Sequence, residues 1–108
     1  MFENLKILEL AMYLPLPYAG SFFSRMGATV IKVESPFGGD PLKELDISAY
    51  NYLNKGKIVK FFDLKNEHDR NQLLEIISKV DVVLNGFRRD FLKKIGLDYN
   101  SVKVVNPT

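Results

Sequence analysis

The chain has no cysteine and a single histidine among its 108 residues. The lack of cysteine excludes a disulfide scaffold, a thiolate metal site and a cysteine nucleophile. The single histidine, His68, is too little for a multi-histidine metal site or a histidine-based proton relay. Because it falls off the apolar face of a predicted helix, we expect it to be an ordinary surface residue. The sequence therefore gives no support for a metal cofactor.

Long apolar runs and a strong excess of one charge are also missing. The most apolar segment, residues 11–23, is interrupted by Pro15 and Pro17, and it falls short of the about 20 apolar residues that span a membrane. A signal peptide begins with a positively charged region followed by an apolar one, and Glu3 and Glu9 do not fit that pattern. A net charge of +2 is too small to indicate nucleic-acid binding. We expect a cytoplasmic protein that binds neither membrane nor nucleic acid.

What is present is the composition of an ordinary globular domain. The chain is 46% hydrophobic and 26% charged, and its eight Phe and five Tyr supply apolar surface to bury. A length of 108 residues is typical of one domain, and such a chain can bury a hydrophobic core without disulfides or a structural metal. We therefore predict a single domain over residues 1–108.

Four short apolar or β-branched runs predict strands at residues 5–10, 28–34, 57–62 and 81–85. Between them lie segments with helical spacing. Because strands alternate with helices, we predict an α/β fold: a Rossmann-like parallel sheet of about four strands with flanking helices. The chain halts at Asn106-Pro107-Thr108, where another strand could begin, so we expect the sheet to be incomplete at the C-terminus.

The predicted helices differ in how clearly they are marked. Residues 17–26 place Tyr18, Phe22 and Met26 at helical spacing. The clearest helix begins after the N-cap Asn66 and has one apolar face. The weaker segments are a helical turn at 47–53, an irregular loop at 35–46, a last helix at 90–95 and a turn at 98–104.

Ligands of open parallel sheets bind beyond the carboxyl ends of the strands, so the loops are the candidate sites. The loop at 12–17 lacks the G-x-G-x-x-G fingerprint, and no P-loop motif occurs. The Gly38-Gly39 pair in the loop at 35–41 permits close approach of backbone to a ligand, or marks a plain surface loop. Asp40, Asp46 and Asp63 are carboxylates in loops, where Asp is common, and nothing marks one as a nucleophile.

Two further loops carry positive charge. Residues 53–57 place Lys55 and Lys57 around Gly56, either as a phosphate cradle or as a turn with solvated lysines. Residues 85–89 follow a predicted strand and offer two arginines beside Phe87, with Lys93 and Lys94 one helical turn later. Guanidinium groups match phosphate, and an aromatic face suits adenine. This second cluster favours an anionic, nucleotide-like ligand.

These segments, taken in order, resemble the N-terminal part of the family III CoA-transferases, which include formyl-CoA transferase, carnitine CoA-transferase-like and α-methylacyl-CoA racemase-like enzymes. The resemblance covers nearly the whole chain. Its most specific part is Gly-Ala-x-Val-Ile-Lys-Val-Glu at 27–34 followed by Gly-Gly-Asp-Pro at 38–41. The other matching segments are residues 5–10, 16–17, 53–57, 62–65, 81–88, 95–97 and 106–107.

The resemblance implies that this region binds CoA or acyl-CoA as a substrate and that two subunits interlock as a homodimer, or that a partner chain supplies the rest of the fold. By the resemblance, the CoA-contacting residues are Pro15, Leu53, Asn54, Lys55, Gly56, Gly86, Phe87, Arg88 and Lys94. Three departures weaken that set: Leu14 replaces a glutamine, Leu16 replaces a glycine, and Ser35 replaces a basic residue.

The family's nucleophilic aspartate, and the acid and base of its racemases, have no match among these 108 residues, so we expect no catalytic residue in this chain. The resemblance implies CoA transfer between carboxylic acids through an acyl-enzyme anhydride, or proton abstraction in a racemase. A CoA- or nucleotide-binding module without catalysis and an interaction protein that keeps only the fold remain open alternatives.

Overall fold

A computed structural model describes residues 2–10 and 16–86. Its elements are β1 (Lys6–Leu10), α1 (Leu16–Arg25), β2 (Thr29–Glu34), α2 (Leu42–Leu45), α3 (Ile47–Asn54), β3 (Ile58–Phe61), α4 (Glu67–Ile77) and β4 (Val82–Asn85). The four predicted strands and the helices predicted at 17–26 and after Asn66 are confirmed, and the helical turn predicted at 47–53 is the helix α3. The helix predicted at 90–95, the turn at 98–104 and the C-terminal residues 106–108 lie outside the described residues.

All four strands are parallel and lie in the order β3-β2-β1-β4. The predicted parallel α/β sheet with flanking helices is therefore confirmed. In the register, Glu9 of β1 lies beside Lys32 of β2, and Leu10 lies beside Asn85 of β4. The two central strands carry the buried residues, whereas β3 and β4 form the edges of the described sheet.

One face of the sheet is apolar and is covered by α4. Leu8, Leu10 and Val33 point to this face and form a core cluster with Leu73 and Ile77. The alternation of strand side chains sends every second residue to the same face, which explains the spacing. The Asn66 side chain accepts a hydrogen bond from the Asp69 amide at 3.1 Å, so the predicted N-cap is confirmed.

The opposite face, next to α1 and α3, is apolar only at one end. Ile7 and Val30 pack there with Phe23 of α1, but the next residues along the strands on this face are charged. Tyr18 and Phe22 of α1, which stand at helical spacing, are 63% and 54% exposed. The neighbouring Gly20 and Ser21 are buried instead, since a small residue lets α1 approach the charged face.

The segment at 35–46 is less irregular than its Pro and Gly content indicated. The short helix α2 lies within it, and Leu42 is buried against Tyr50 and Leu53 of α3. Asp46 caps α3 by accepting a hydrogen bond from the Ala49 amide at 3.1 Å. The two helices thus form a small apolar cluster of their own, which packs the loop against α3.

Two asparagine-to-alanine changes in and beside α4 test the role of the N-cap. Asn66→Ala removes the acceptor for the Asp69 amide and should lower the free energy of unfolding by about 1 kcal/mol. Asn71→Ala, at an exposed position inside the same helix, should raise it by a few tenths of a kcal/mol through helix propensity. Urea unfolding of both variants checks this, and equal effects of the same sign would contradict the assigned cap.

Candidate functional site

Charged side chains meet on the face of the sheet that α1 and α3 cover. We call this group the buried ion network. The side chains of five of its members have no solvent exposure, and that of Lys43 is 33% exposed. Its members are Glu9, Lys32, Glu34, Asp40, Lys43 and Lys57.

Lys32 lies at the centre of the network. Its Nζ is 2.9 Å from Asp40 Oδ2 and 3.3 Å from Glu9 Oε2. The other oxygen of the Glu9 carboxylate, Oε1, is 2.7 Å from Lys57 Nζ. One carboxylate on β1 therefore holds two lysines, and one lysine on β2 joins the strands to the Gly-Gly-Asp loop.

Glu34, the last residue of β2, organises the other half of the network. Its Oε1 accepts a hydrogen bond from the Asp40 amide at 3.1 Å and lies 3.2 Å from Lys43 Nζ. Its Oε2 accepts a short hydrogen bond from the Tyr50 hydroxyl. A Cβ on Gly39, which has φ +71°, would come within 2.6 Å of Glu34 Oε1. The loop glycine therefore has a structural reason: it leaves room for this carboxylate.

The network is balanced and fully hydrogen-bonded. Three carboxylates face three ammonium groups, and no buried side-chain nitrogen or oxygen within residues 2–10 and 16–86 lacks a hydrogen-bond partner. Burying a charge is costly unless it is paired, and removing one partner of a buried pair costs about 3–5 kcal/mol. The network therefore fixes the geometry of the segments it joins, because any loosening leaves a charge without its partner.

Burial shifts two titrations in this region. It lowers the pKa of the Lys57 ammonium from its usual value, and the hydrogen bond to Glu9 opposes that shift. Burial also raises the pKa of the Tyr50 phenol, and the hydrogen bond and negative charge of Glu34 add to the rise. At neutral pH the Tyr50 phenol is therefore protonated and donates its hydrogen bond to Glu34.

The segment predicted to contact CoA begins at the end of α3, and its residues differ in exposure. Leu53 and Asn54 are buried, with Leu53 in the cluster around Tyr50. Both ends of the Asn54 side-chain amide are hydrogen-bonded, because its nitrogen donates to the Tyr50 carbonyl at 2.9 Å and its oxygen accepts from Lys57 Nζ at 3.0 Å. Lys55 and Gly56 are exposed, and Gly56 has φ +84°. The Lys55–Gly56 turn is thus the accessible part of this segment.

Two predictions for the segment at 53–57 are wrong, one on the exposure of Lys57 and one on the position of the segment at a strand end. The Lys57 ammonium is neither solvated nor available as part of a phosphate cradle, because it is buried against Glu9 and Asn54. The segment at 53–57 also precedes β3, whose first residue, Ile58, pairs with Ile31. It therefore enters a strand, and the rule that ligands bind at carboxyl ends of strands does not select it.

Gly86 lies where that rule does apply. It follows β4 directly, is exposed, and its amide donates to the Leu10 carbonyl at 2.9 Å at the carboxyl end of β1. The remaining residues that were predicted to contact CoA lie outside the described residues. They are Pro15, Phe87, Arg88 and Lys94.

The three loop aspartates have different roles. Asp46 and Asp63 serve local structure, Asp46 as a helix cap and Asp63 as an acceptor for the Lys65 amide at 3.1 Å. Asp40 is fully buried in the ion network, which sequence reasoning missed together with Glu9, Lys32, Glu34 and Tyr50. The available signal was that Val30, Lys32 and Glu34 share one face of a predicted strand.

Two features are absent from the described part of the chain, a helix that could cross a membrane and a cluster of metal-ligating side chains. Among those residues no helix is both long and apolar enough to cross a membrane. The same residues contain no group of three or more His, Asp or Glu side chains arranged to hold a metal ion. The described carboxylates of the ion network have lysine partners instead.

Comparison with known families gives a consistent result over the whole chain. The sequence model of CoA-transferase family III matches residues 2–108. The succinate–glutarate CoA-transferase of Agrobacterium fabrum is 37% identical, and the match covers 97% of this chain and 30% of that protein. The cinnamoyl-CoA:phenyllactate CoA-transferase of Clostridium sporogenes is 36% identical, with 99% and 28% covered.

Solved structures agree with the sequence comparison. A CAIB/BAIF family protein from Brucella suis superimposes with a TM-score of 0.89 and 35% identity, covering 96% of this chain and 30% of that one. A hypothetical protein from Mycobacterium tuberculosis gives a TM-score of 0.92 and 31% identity, with 98% and 30% covered. This chain therefore spans about a third or less of the length of these relatives.

Gly20→Ala tests the close approach of α1 to the ion network. A Cβ at Gly20 would overlap Glu9 Oε1 and lie 3.1 Å from Lys57 Nζ. In an exposed helix this change stabilises by up to about 1 kcal/mol, but here we expect it to lower the free energy of unfolding by about 2 kcal/mol through overpacking. Chemical denaturation measures the sign. A variant as stable as the wild type would contradict the placement of Glu9 under α1.

Tyr50→Phe tests the donor to Glu34 through its pH dependence. At neutral pH the change should cost about 2 kcal/mol, since a buried carboxylate loses a hydrogen bond. Above pH 10 the unfolded phenol ionises while the folded phenol, with its raised pKa, keeps its proton, so the wild type loses this contribution as pH rises. The stability difference between the two proteins, measured by urea unfolding from pH 8 to 11, should therefore shrink. A constant difference would refute the assignment.

Proposed function

The chain belongs to CoA-transferase family III, and we propose that it forms the CoA- or acyl-CoA-binding part of an enzyme that transfers CoA between carboxylic acids. In this proposal residues 1–108 are one Rossmann-like CoA-binding domain. The observation that carries it is the exposed Lys55–Gly56 turn, held from below by the ion network in a chain of this family. A cytoplasmic location is part of the same proposal.

The Lys55–Gly56 turn has the chemistry that a phosphate requires. The lysine is exposed and positive, and Gly56, with its positive φ, makes a tight turn beside the Ser24 hydroxyl, which a Cβ would approach to 2.9 Å. Leu53 and Asn54 contact CoA through backbone atoms in this proposal, because their side chains are buried and Asn54 is already engaged. Lys57 is not a ligand in this proposal; it supports the turn.

The other proposed contacts lie at the opposite edge of the sheet. Gly86 follows β4, whereas Lys55 and Gly56 precede β3, and two strands separate these edges. At the usual strand spacing β3 and β4 are about 14 Å apart, and because all strands are parallel, Gly86 also lies at the opposite end of the strands from Lys55 and Gly56. CoA is a long ligand with phosphates, adenine and a thiol-bearing arm, so one molecule can contact both edges. Pro15, Phe87, Arg88 and Lys94 complete the proposed set on the basis of the resemblance.

The proposed reaction divides acyl transfer into steps. A carboxylate oxygen of the enzyme attacks the thioester carbonyl of an acyl-CoA, the C–S bond breaks, and CoA leaves as thiolate while an acyl-enzyme anhydride forms. We assign no residue of this chain to that carboxylate. We therefore propose that these 108 residues bind CoA without transferring it and that a racemase reaction, which needs a general acid and base, is likewise absent from the chain alone.

We also propose that the chain works with a second copy or with a partner chain. Ile58 and Phe61 on the edge strand β3 are exposed, and so are Val82 and Val83 on β4. Exposed strand edges with apolar side chains are surfaces on which another chain can pair. Sedimentation of the isolated chain tests this proposal, and a monomer at high concentration would contradict self-association.

The CoA site is tested by calorimetric titration of the chain with CoA and acyl-CoA. Lys55→Ala and Arg88→Ala should each weaken CoA binding about tenfold, because each removes a cation from the proposed phosphate contacts. Lys79→Ala is the matched control, since Lys79 is an exposed lysine just after α4, which covers the other face. It should leave affinity unchanged.

The outcomes separate the alternatives. Binding of CoA but also of ADP with equal affinity would favour a general nucleotide-binding module. No heat with any ligand would contradict the CoA site and favour the interaction protein that keeps only the fold. Any turnover of acyl-CoA by the isolated chain would contradict the proposal that transfer needs a group that it does not carry.

A further inference from the structure

We propose that Glu9 and Lys57 form a positioning pair for the Lys55–Gly56 turn, and that CoA affinity depends on this buried ion pair although neither side chain is a proposed CoA contact. The inference rests on the proposed function, because it takes the turn as a CoA contact. It adds that the geometry of the turn, which precedes β3, is set from β1, with β2 between the two strands.

The two residues that bracket the turn are both fixed by the pair. The Lys57 amide donates to the Asn54 carbonyl at 3.1 Å, and Lys57 Nζ donates to Asn54 Oδ1 at 3.0 Å. The same Nζ is 2.7 Å from Glu9 Oε1. Lys57 thus links the end of α3 to the Glu9 carboxylate, and the exposed turn lies between the end of α3 and the start of β3.

A second contact limits the freedom of the turn. The Ser24 hydroxyl on α1 donates to the Lys55 carbonyl at 3.4 Å. The turn is therefore held on one side by α1 and from below by β1, while the Lys55 side chain stays exposed. A small displacement of the Glu9 carboxylate would be passed to the turn through Lys57, because the side chains of the pair are not exposed to solvent.

The composition of the pair favours positioning over stabilisation. A buried ion pair adds little stability compared with well-packed apolar residues of the same volume, so stability alone gives little reason to keep one here. What the pair supplies is a directional contact: Glu9 Oε1 faces Lys57 and Oε2 faces Lys32. Gly20 preserves this arrangement, since any side chain there would overlap Oε1.

A double-mutant cycle tests the proposal, with CoA as the probe and the full chain as the protein. The four proteins are the wild type, Glu9→Gln, Lys55→Ala and the combination. Lys55→Ala removes the proposed contact, and Glu9→Gln keeps the shape of the side chain while weakening its hold on Lys57. We expect each single change to weaken affinity about tenfold. Because both act through the turn, the double variant should be no more than about tenfold weaker as well.

A control separates positioning from a general loss of stability. Asn66→Ala destabilises the protein on the α4 face, away from the turn. It should leave CoA affinity unchanged, and its combination with Lys55→Ala should bind CoA like Lys55→Ala alone. If Asn66→Ala weakens CoA binding as much as Glu9→Gln does, the effect of Glu9 is one of stability and the positioning proposal is overturned.

A second route displaces Glu9 without changing any charge. Gly20→Ala pushes on Oε1, so it should also weaken CoA binding and should shift the amide resonance of Gly56 in the ligand-free protein. If Glu9→Gln does not fold, Glu9→Asp, which withdraws the carboxylate by one methylene, replaces it in the cycle with the same expected result.

The failures of the two proposals look different. If Lys55→Ala leaves CoA affinity unchanged, or if no CoA binds, the turn is not a CoA contact and both proposals are overturned. If Lys55→Ala weakens CoA affinity and Glu9→Gln does not, Lys55 remains a CoA contact and the positioning pair is refuted. The same holds if the double variant binds CoA about a hundredfold more weakly than the wild type, because the two effects are then independent.

Discussion

Lys32 contacts two carboxylates with no side-chain exposure to solvent, and this contact holds the surrounding segments in place. Its ammonium lies between Asp40 and Glu9, and through them it joins the Gly-Gly-Asp loop, β1 and the segment before β3. None of these charges can leave without exposing a buried partner. The loops are therefore held by electrostatics on one face of the sheet, while α4 supplies apolar packing on the other.

The fold could be predicted because its signals are local. Each strand is a short β-branched or apolar run, and the N-cap of α4 is a single asparagine before a helical pattern. The ion network could not be predicted in the same way. Glu9 and Lys32 are 23 positions apart in sequence, and they become neighbours only in the parallel register of β1 and β2. Without that register, a charge inside a strand gives no indication of its partner.

The candidate site was predicted in part, and the difference lies in neighbouring residues. Lys55 and Lys57 have the same side chain two positions apart, yet one is exposed and the other is buried against Glu9. Charge alone does not distinguish them; the position of β3 relative to β1 does. The resemblance to the family is confirmed over residues 2–108. The assignment of particular residues of this chain as CoA contacts remains a proposal.

Backbone amide NMR during a CoA titration tests whether the buried ion network fixes the exposed turn that CoA contacts. We expect saturable shifts at the amides of Lys55, Gly56 and Gly86, with a smaller shift at Asp40, which the network connects to the turn. The amides of α4 should not move. Saturable shifts confined to α4, or no shift at Lys55 and Gly56 at saturating CoA, would show that the turn is not the CoA contact.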